Sequence, residues 1–309
     1  MRKIFLLIIS LFTLCSPLFS QQLPVLDNYL INPFSISPAF SGKSYRFQTY
    51  LTYRNSWTGL SGAPTVGYLS LDGNIGKNMG LGGTFMLSKA GIYRNFSMNI
   101  DYAYHLKLAE DHILSFGVNG ALYQNSVDFS EVIVSDPQDP ILLNKSILTE
   151  TYLNFGFSML YNWKELNVCL AFPLLLNNRS FYKDTDYNNL LGMDRNWLFY
   201  TNYTIIFSTP WKLKFDLLYR DTQFSPWTLD FGTMLKFQDS YWIGFLYRTT
   251  NVVGVTAGLA IVNSVVINYT YEFAGFTMNG QSGGSHEFTL GYRLPFATKK
   301  VPVLKDYNR

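Results

Sequence analysis

From position 286 to 296 apolar and polar residues alternate. His286, Phe288, Leu290, Tyr292, Leu294 and Phe296 share one face, and Glu287, Thr289, Gly291, Arg293 and Pro295 share the other. A side-chain period of two is that of a β-strand, so this stretch is a ribbon with one apolar and one wet face. About fourteen strand-like stretches follow the same logic: 44–54, 65–73, 79–88, 95–107, 112–124, 151–163, 166–174, 196–208, 211–221, 227–238, 241–249, 252–262, 264–274 and 285–296. In the fourth, Phe96, Met98, Ile100, Tyr102, Tyr104 and Leu106 oppose Ser97, Asn99, Asp101, Ala103, His105 and Lys107. In the ninth, Trp211, Leu213, Phe215, Leu217 and Tyr219 oppose Lys212, Lys214, Asp216 and Arg220, with Leu218 out of phase. The stretch 252–262 is only weakly patterned.

The connections carry a second signal. Even-numbered ones are short: 74–78, 109–111, 164–165, 209–210, 239–240 and a turn near Asn263. Every long one is odd-numbered: 55–64, 125–150, 173–195 and 275–284. Segregation of loop length by parity is the periplasmic/extracellular asymmetry of outer-membrane barrels, and a soluble sandwich has no reason for it. The expected fold is all-β: a transmembrane antiparallel barrel of about fourteen strands over 43–296, with short periplasmic turns and longer extracellular loops. Both termini then fall on the periplasmic side. Residues 21–42, with Asn32-Pro33 and Ser37-Pro38-Ala39, form a loop segment, periplasmic or tucked into the lumen. Residues 297–309, with Lys299, Lys300, Lys305 and Arg309, form a periplasmic tail too polar to insert.

Composition agrees. Aromatic residues are 17% and charged residues 15% of the 309, against about 25% charged in ordinary globular domains. Residues 1–20 read as a secretory signal, with Arg2 and Lys3 before an apolar run that Pro17 ends. Leu14 is too large to precede a lipidated Cys15, so the mature chain keeps Cys169 alone and has no internal disulfide. The six tryptophans, Trp57, Trp163, Trp197, Trp211, Trp227 and Trp242, fall at or near strand ends, as headgroup girdles require. The inward face mixes signs: Arg54, Asp101, Asp216, Asp230, Arg248, Glu272 and Glu287 are among its charges. A mixed lumen suits ion-paired crossbridges better than a selective channel. It also argues against an apolar lumen pocket.

Candidate chemistry is sparse. His105, His112 and His286 have no second histidine at ligand spacing, so no metal site is expected. Ser285, His286 and Glu287 resemble hydrolase parts, but Ser285 and Glu287 share a face that His286 does not. Gly80-Leu81-Gly82-Gly83 lies in a strand without a following helix or lysine, so it is no phosphate loop and fits close approach instead. No catalytic, cofactor-binding or metal residue is assigned. The net charge of +3 gives no reason to invoke nucleic acid.

Several motifs together resemble the PorP/SprF family of the type IX secretion and gliding machinery of Bacteroidota. They are Asn32-Pro33 and Ser37-Pro38-Ala39-Phe40-Ser41-Gly42, with Ser37 where asparagine is usual; Tyr53-Arg54-Asn55-Ser56-Trp57 followed by Gly62-Ala63-Pro64; Tyr102-Ala103-Tyr104-His105; Trp242-Ile243-Gly244 through Tyr247-Arg248; and Gly284-Ser285-His286-Glu287. Motif positions Asn32, Pro33, Pro38, Arg54, Trp57, His105, His286 and Glu287 carry no assigned role. The resemblance implies a barrel without enzymatic activity or cofactor, set in outer-membrane lipid. Its implied partners are type IX secretion components, including the periplasmic ring-forming lipoprotein complex, and exported surface proteins or adhesins with a C-terminal sorting domain. The implied role is export or surface anchoring, by docking on loops 125–150 and 173–195. The alternative is a fourteen-stranded transporter for hydrophobic small molecules, with 21–42 as its hatch.

Overall fold

The computed structural model describes residues 24, 26–43, 46–131, 147–178, 191–208, 210–222, 225–262, 264–273 and 282–295. The expected signal segment 1–20, Phe296 and the tail 297–309 lie outside them. The described residues form a closed antiparallel barrel of fourteen strands. In chain order these are β1 (Arg46–Asn55), β2 (Thr65–Gly76), β3 (Met79–Ala90), β4 (Tyr93–Ala109), β5 (His112–Asp128), β6 (Ile147–Trp163) and β7 (Leu166–Leu174). There follow β8 (Asn196–Ser208), β9 (Trp211–Thr222), β10 (Ser225–Phe237), β11 (Tyr241–Arg248), β12 (Val252–Ile261), β13 (Val265–Phe273) and β14 (Ser285–Pro295). Each strand pairs with its sequence neighbours, and β14 returns to β1 in register from Arg46↔Pro295 to Asn55↔His286.

Side chains obey the period of two. Along β6, Tyr152, Asn154, Ser158 and Leu160 are buried inside, while Leu153 and Phe155 are 66% and 56% exposed outside. The same holds on β14, where Glu287 and Thr289 are buried and Phe288, Leu290 and Tyr292 are exposed. A contiguous exposed apolar band around a closed barrel has lipid as its matching solvent.

Strands β4, β5 and β6 have 17 residues each, more than the ~9–11 that span a bilayer. Their pairing continues to Asp128↔Ile147 on the long-loop side, so this wall rises beyond the rim. It absorbs the ends of the expected loop 125–150; of the remainder, 132–146 lies outside the described residues, as do 179–190 of loop 173–195.

Two local expectations change. Trp242 does not join the girdle. It is buried inside, and its Nε1–H donates to Asn268 Oδ1 at 2.7 Å. Gly258 makes room for it, since a Cβ there would lie 2.5 Å from the indole ring. Leu218, out of phase for a polar lumen, points inward and is fully buried. It belongs to an apolar core inside the barrel, shared with Leu160, Tyr200, Met234, Leu246 and Val266. The mixed-charge inward face therefore accounts for only part of the lumen.

Candidate functional site

The lumen core is completed by the segment that precedes β1. Residues 27–43 fold into three single-turn 3-10 helices, Asp27–Leu30, Pro33–Ser35 and Pro38–Phe40. Pro33 and Pro38 each sit at a first helical position, where the fixed φ suits a turn and no N–H is missed. Ser37 Oγ accepts from the Ala39 N–H at 3.2 Å, an N-cap that serine and asparagine make equally well. The departure from the family's usual asparagine thus preserves the cap. Short turns of this kind cannot hold themselves together in water. Here Tyr29, Leu30, Phe34 and Phe40 are buried against the barrel wall, and Tyr29 and Phe40 meet the Tyr200 ring edge-on at 6.0 and 5.9 Å.

Polar contacts fix this plug along its length. At the long-loop end Asp27 enters an ion cluster. Arg54 bonds Asp27 at 2.9 Å, Glu287 at 3.2 Å, and Glu272. Arg248 bonds Asp27 at 2.8 Å, Glu272 at 2.9 Å and Asp230 at 3.0 Å, and Arg220 bonds Asp230 at 2.7 Å. Four carboxylates thus face three guanidiniums. The Asp27 backbone N–H compensates by donating to both Glu287 oxygens, at 3.1 and 2.9 Å. Burial pushes the Asp27 carboxyl up, but the Arg54 and Arg248 guanidiniums outweigh it and hold it below the ordinary aspartate value.

Lower down, Asn28 donates to Thr52 Oγ1 at 3.2 Å and Asn32 to Ser70 Oγ at 2.9 Å. The Leu30 carbonyl accepts from Lys214 at 2.9 Å, and the Ala39 N–H also reaches Ser158 Oγ at 3.0 Å. At the short-turn end the Ser41 carbonyl lies 2.9 Å from His105 Nε2. A carbonyl only accepts, so Nε2 carries a proton. The Gly42 N–H donates to Asp72 at 3.0 Å, and Lys43 donates to Asn167. Desolvation pushes the Lys43 amine down to about 8. Glycines cut the seat: a Cβ on Gly80 would fall 1.9 Å from the Ser41 oxygen, and one on Gly117 2.3 Å from the Ala39 nitrogen. The glycine-rich run 80–83 is thus a bed for the plug.

Six of the eight motif positions meet at this interface. Asn32, Pro33 and Pro38 shape the plug, while Arg54, His105 and Glu287 hold it. The other two lie at the long-loop rim. Trp57 has φ +51° and its N–H donates to Ser285 Oγ at 3.3 Å. His286 points outward, with Nδ1 2.7 Å from the Tyr269 hydroxyl. It is on the opposite face from Ser285 and Glu287, which are both buried. Sequence reasoning left Asp27, Asp72 and the inward apolar residues without a role. The one signal for the latter was Leu218 breaking the alternation. Among the described residues no cluster of histidine, cysteine and carboxylate side chains is arranged to hold a metal.

A second closure sits beside the plug. Leu174 and Met193, flanking the β7–β8 loop, pack with Tyr123 and Tyr152 inside the wall. Asn125 donates to the Leu191 carbonyl at 2.8 Å, and Asn154 Oδ1 accepts from the Leu175 and Leu176 N–H groups at 3.1 Å. This loop's described ends therefore bend into the mouth instead of away from it.

Similarity to solved structures runs over most of the chain. A Pseudomonas aeruginosa FadL homologue is 12% identical, with 84% of this chain and 92% of that chain covered and a TM-score of 0.50. The Acinetobacter baumannii outer membrane protein Omp33 is 9% identical, with 82% and 99% covered and a TM-score of 0.43. No curated protein matches the chain in sequence. The family model for "Type IX secretion system membrane protein PorP/SprF" matches residues 18–292. A closed barrel with an apolar outer band, matched by that model over nearly its whole length, belongs to the PorP/SprF family of type IX secretion system membrane proteins and resides in the outer membrane.

Proposed function

We propose that the chain is a non-catalytic accessory of type IX secretion, which assists export or surface anchoring of sorting-domain-bearing surface proteins. The observation that carries this reading is the plug. A lumen blocked by residues 27–43, tied to the wall from the Asp27 ion cluster to the Gly42–Asp72 bond, is ill suited to passing cargo. Work is then left to the two rims. The raised β4–β6 wall and the odd-numbered loops offer a platform to a surface protein. The short-turn rim faces the periplasmic machinery, the ring-forming lipoprotein complex included. The transporter reading is weakened because the apolar lumen core is occupied by the plug's own Tyr29, Leu30, Phe34 and Phe40. Deleting the gene is expected to remove one or a few surface proteins while the outer membrane stays impermeable to large antibiotics. An unchanged surface proteome would sink the proposal.

A further inference from the structure

Beneath the plug, at the short-turn end, lies a chamber of about 610 Å³. Its roof is apolar, from Leu30, Phe34 and Phe40. Its walls carry four cations: Lys43 from the plug, Lys214 on β9, Lys236 on β10 and Arg293 on β14. No carboxylate lines it among the described residues.

The acids nearby are largely committed elsewhere. Asp216 bonds Lys214 at 2.7 Å and accepts from the Tyr200 hydroxyl. Asp239 is held by Lys212 at 2.6 Å. Asp72 accepts from Gly42 and Gln48. Glu165, on the exposed β6–β7 turn, acts on Lys43 from outside the chamber. That leaves Lys43, Lys236 and Arg293 as an unbalanced positive set. Lys236 makes no salt bridge among the described residues. Arg293 uses only Nε, donating to the Tyr50 hydroxyl at 2.9 Å, and lies over that ring. Its terminal nitrogens make no ion pair among the described residues. This contrasts with the long-loop end, where every arginine of the cluster is paired.

Like charges held together in a partly desolvated site are costly unless an anion joins them. The cations span the wall from β7, where Lys43 meets Asn167, round to β14, half the barrel's circumference. One small anion cannot touch them all, whereas an elongated polyanion can. The apolar roof gives such a chain somewhere to seat hydrophobic side chains, a contact of no use to a bare phosphate. An anionic lipid would have to leave the bilayer for a water-facing mouth. The tail 297–309 carries four cations against Asp306, so its charge matches the chamber's sign and repels it.

We propose that this chamber is a receptor for an acidic, partly apolar peptide segment presented by a periplasmic partner. It rests on the reading that the short-turn rim faces the secretion machinery, and not on which surface protein is exported. The test uses the full chain in neutral detergent and a fluorescent peptide alternating glutamate and leucine, read by anisotropy. This peptide is expected to bind, and a lysine–leucine peptide is not. K236Q/R293Q should weaken binding about tenfold or more, since each charge-assisted bond contributes on the order of that factor. K77Q, which changes an exposed cation of the β2–β3 turn outside the chamber, should leave it unchanged. Thr204 on β8 also lines the chamber, and Thr204→Cys, which keeps every cation, should be protected from alkylation by the same peptide. Equal binding to wild type and K236Q/R293Q, or no protection at position 204, overturns the proposal. So does displacement of the peptide by equimolar inorganic phosphate or anionic phospholipid, which would make the chamber a small-anion or lipid site. None of these readouts depends on the surface proteome, so a failure here is separable from a failure of the export reading.

Discussion

Arg248 shows what a single side chain does in this lumen. Its three nitrogens bond Asp27, Asp230 and Glu272 at once, so the plug, β10 and β13 meet on one guanidinium. Truncating one partner of a buried ion cluster leaves the others desolvated and uncompensated, at a cost of roughly 3–5 kcal/mol. Arg248→Ala is therefore expected to lower the temperature at which the folded, fast-migrating form is lost on gels by several degrees. Trp242→Phe keeps an aromatic ring but loses part of the indole's volume and orphans one lone pair of Asn268, the latter alone a loss of about 1–3 kcal/mol in the same assay. Gly117→Val forces a side chain into the Ala39 backbone. The barrel should still form, but the plug should become cleavable by added protease where the wild-type chain resists.

At the scale of the element, the strands were legible and the plug was not. Strands announce themselves because lipid and lumen impose opposite chemistry on alternate residues. Fourteen were expected and fourteen are found, though 252–262 was only weakly patterned; the expected stretches fell short mainly along β4 to β6, where pairing outruns the bilayer, and by two or three residues at the ends of β2 and β3. The plug has no such period. Its prolines mark turns, yet nothing local distinguishes a periplasmic loop from one buried in a barrel. Inward apolar residues such as Leu160 and Met234 were likewise unreadable, because their partner lies more than a hundred residues away in the chain. Of the site, the motif residues could be named from resemblance, but their common purpose appears only when Asn32, Arg54, His105 and Glu287 are seen around one segment. In-frame removal of 24–42 strips the lumen of that segment. The shortened protein should pass ions in planar bilayers, where the full-length chain remains closed.

For the whole molecule, charge is sorted along the barrel axis. Paired arginines and carboxylates occupy the long-loop half, and uncompensated lysines with Arg293 occupy the short-turn half. The first arrangement holds the plug; the second leaves a field directed into the periplasm. Electrostatic attraction at an open mouth raises encounter rates with an oppositely charged partner and is screened by salt. Association with periplasmic components should thus weaken as ionic strength rises, which co-purification across a salt series would measure. Loss of a surface protein on gene deletion should persist at every salt concentration.

The position of Asp27 and Asn28 has one more consequence. These residues touch Glu287 on the last strand and Arg54 and Thr52 on the first, and Thr52 itself lies 2.9 Å from Thr289. The place where the sheet zips shut is therefore laced from within by the segment that leads into it. A chain whose plug is absent brings Arg54, Glu272 and Glu287 to the seam with Asp27 missing from the knot. Occupation of the interior thus reinforces closure of the cylinder, and the seam of a filled barrel is held more firmly than that of an emptied one.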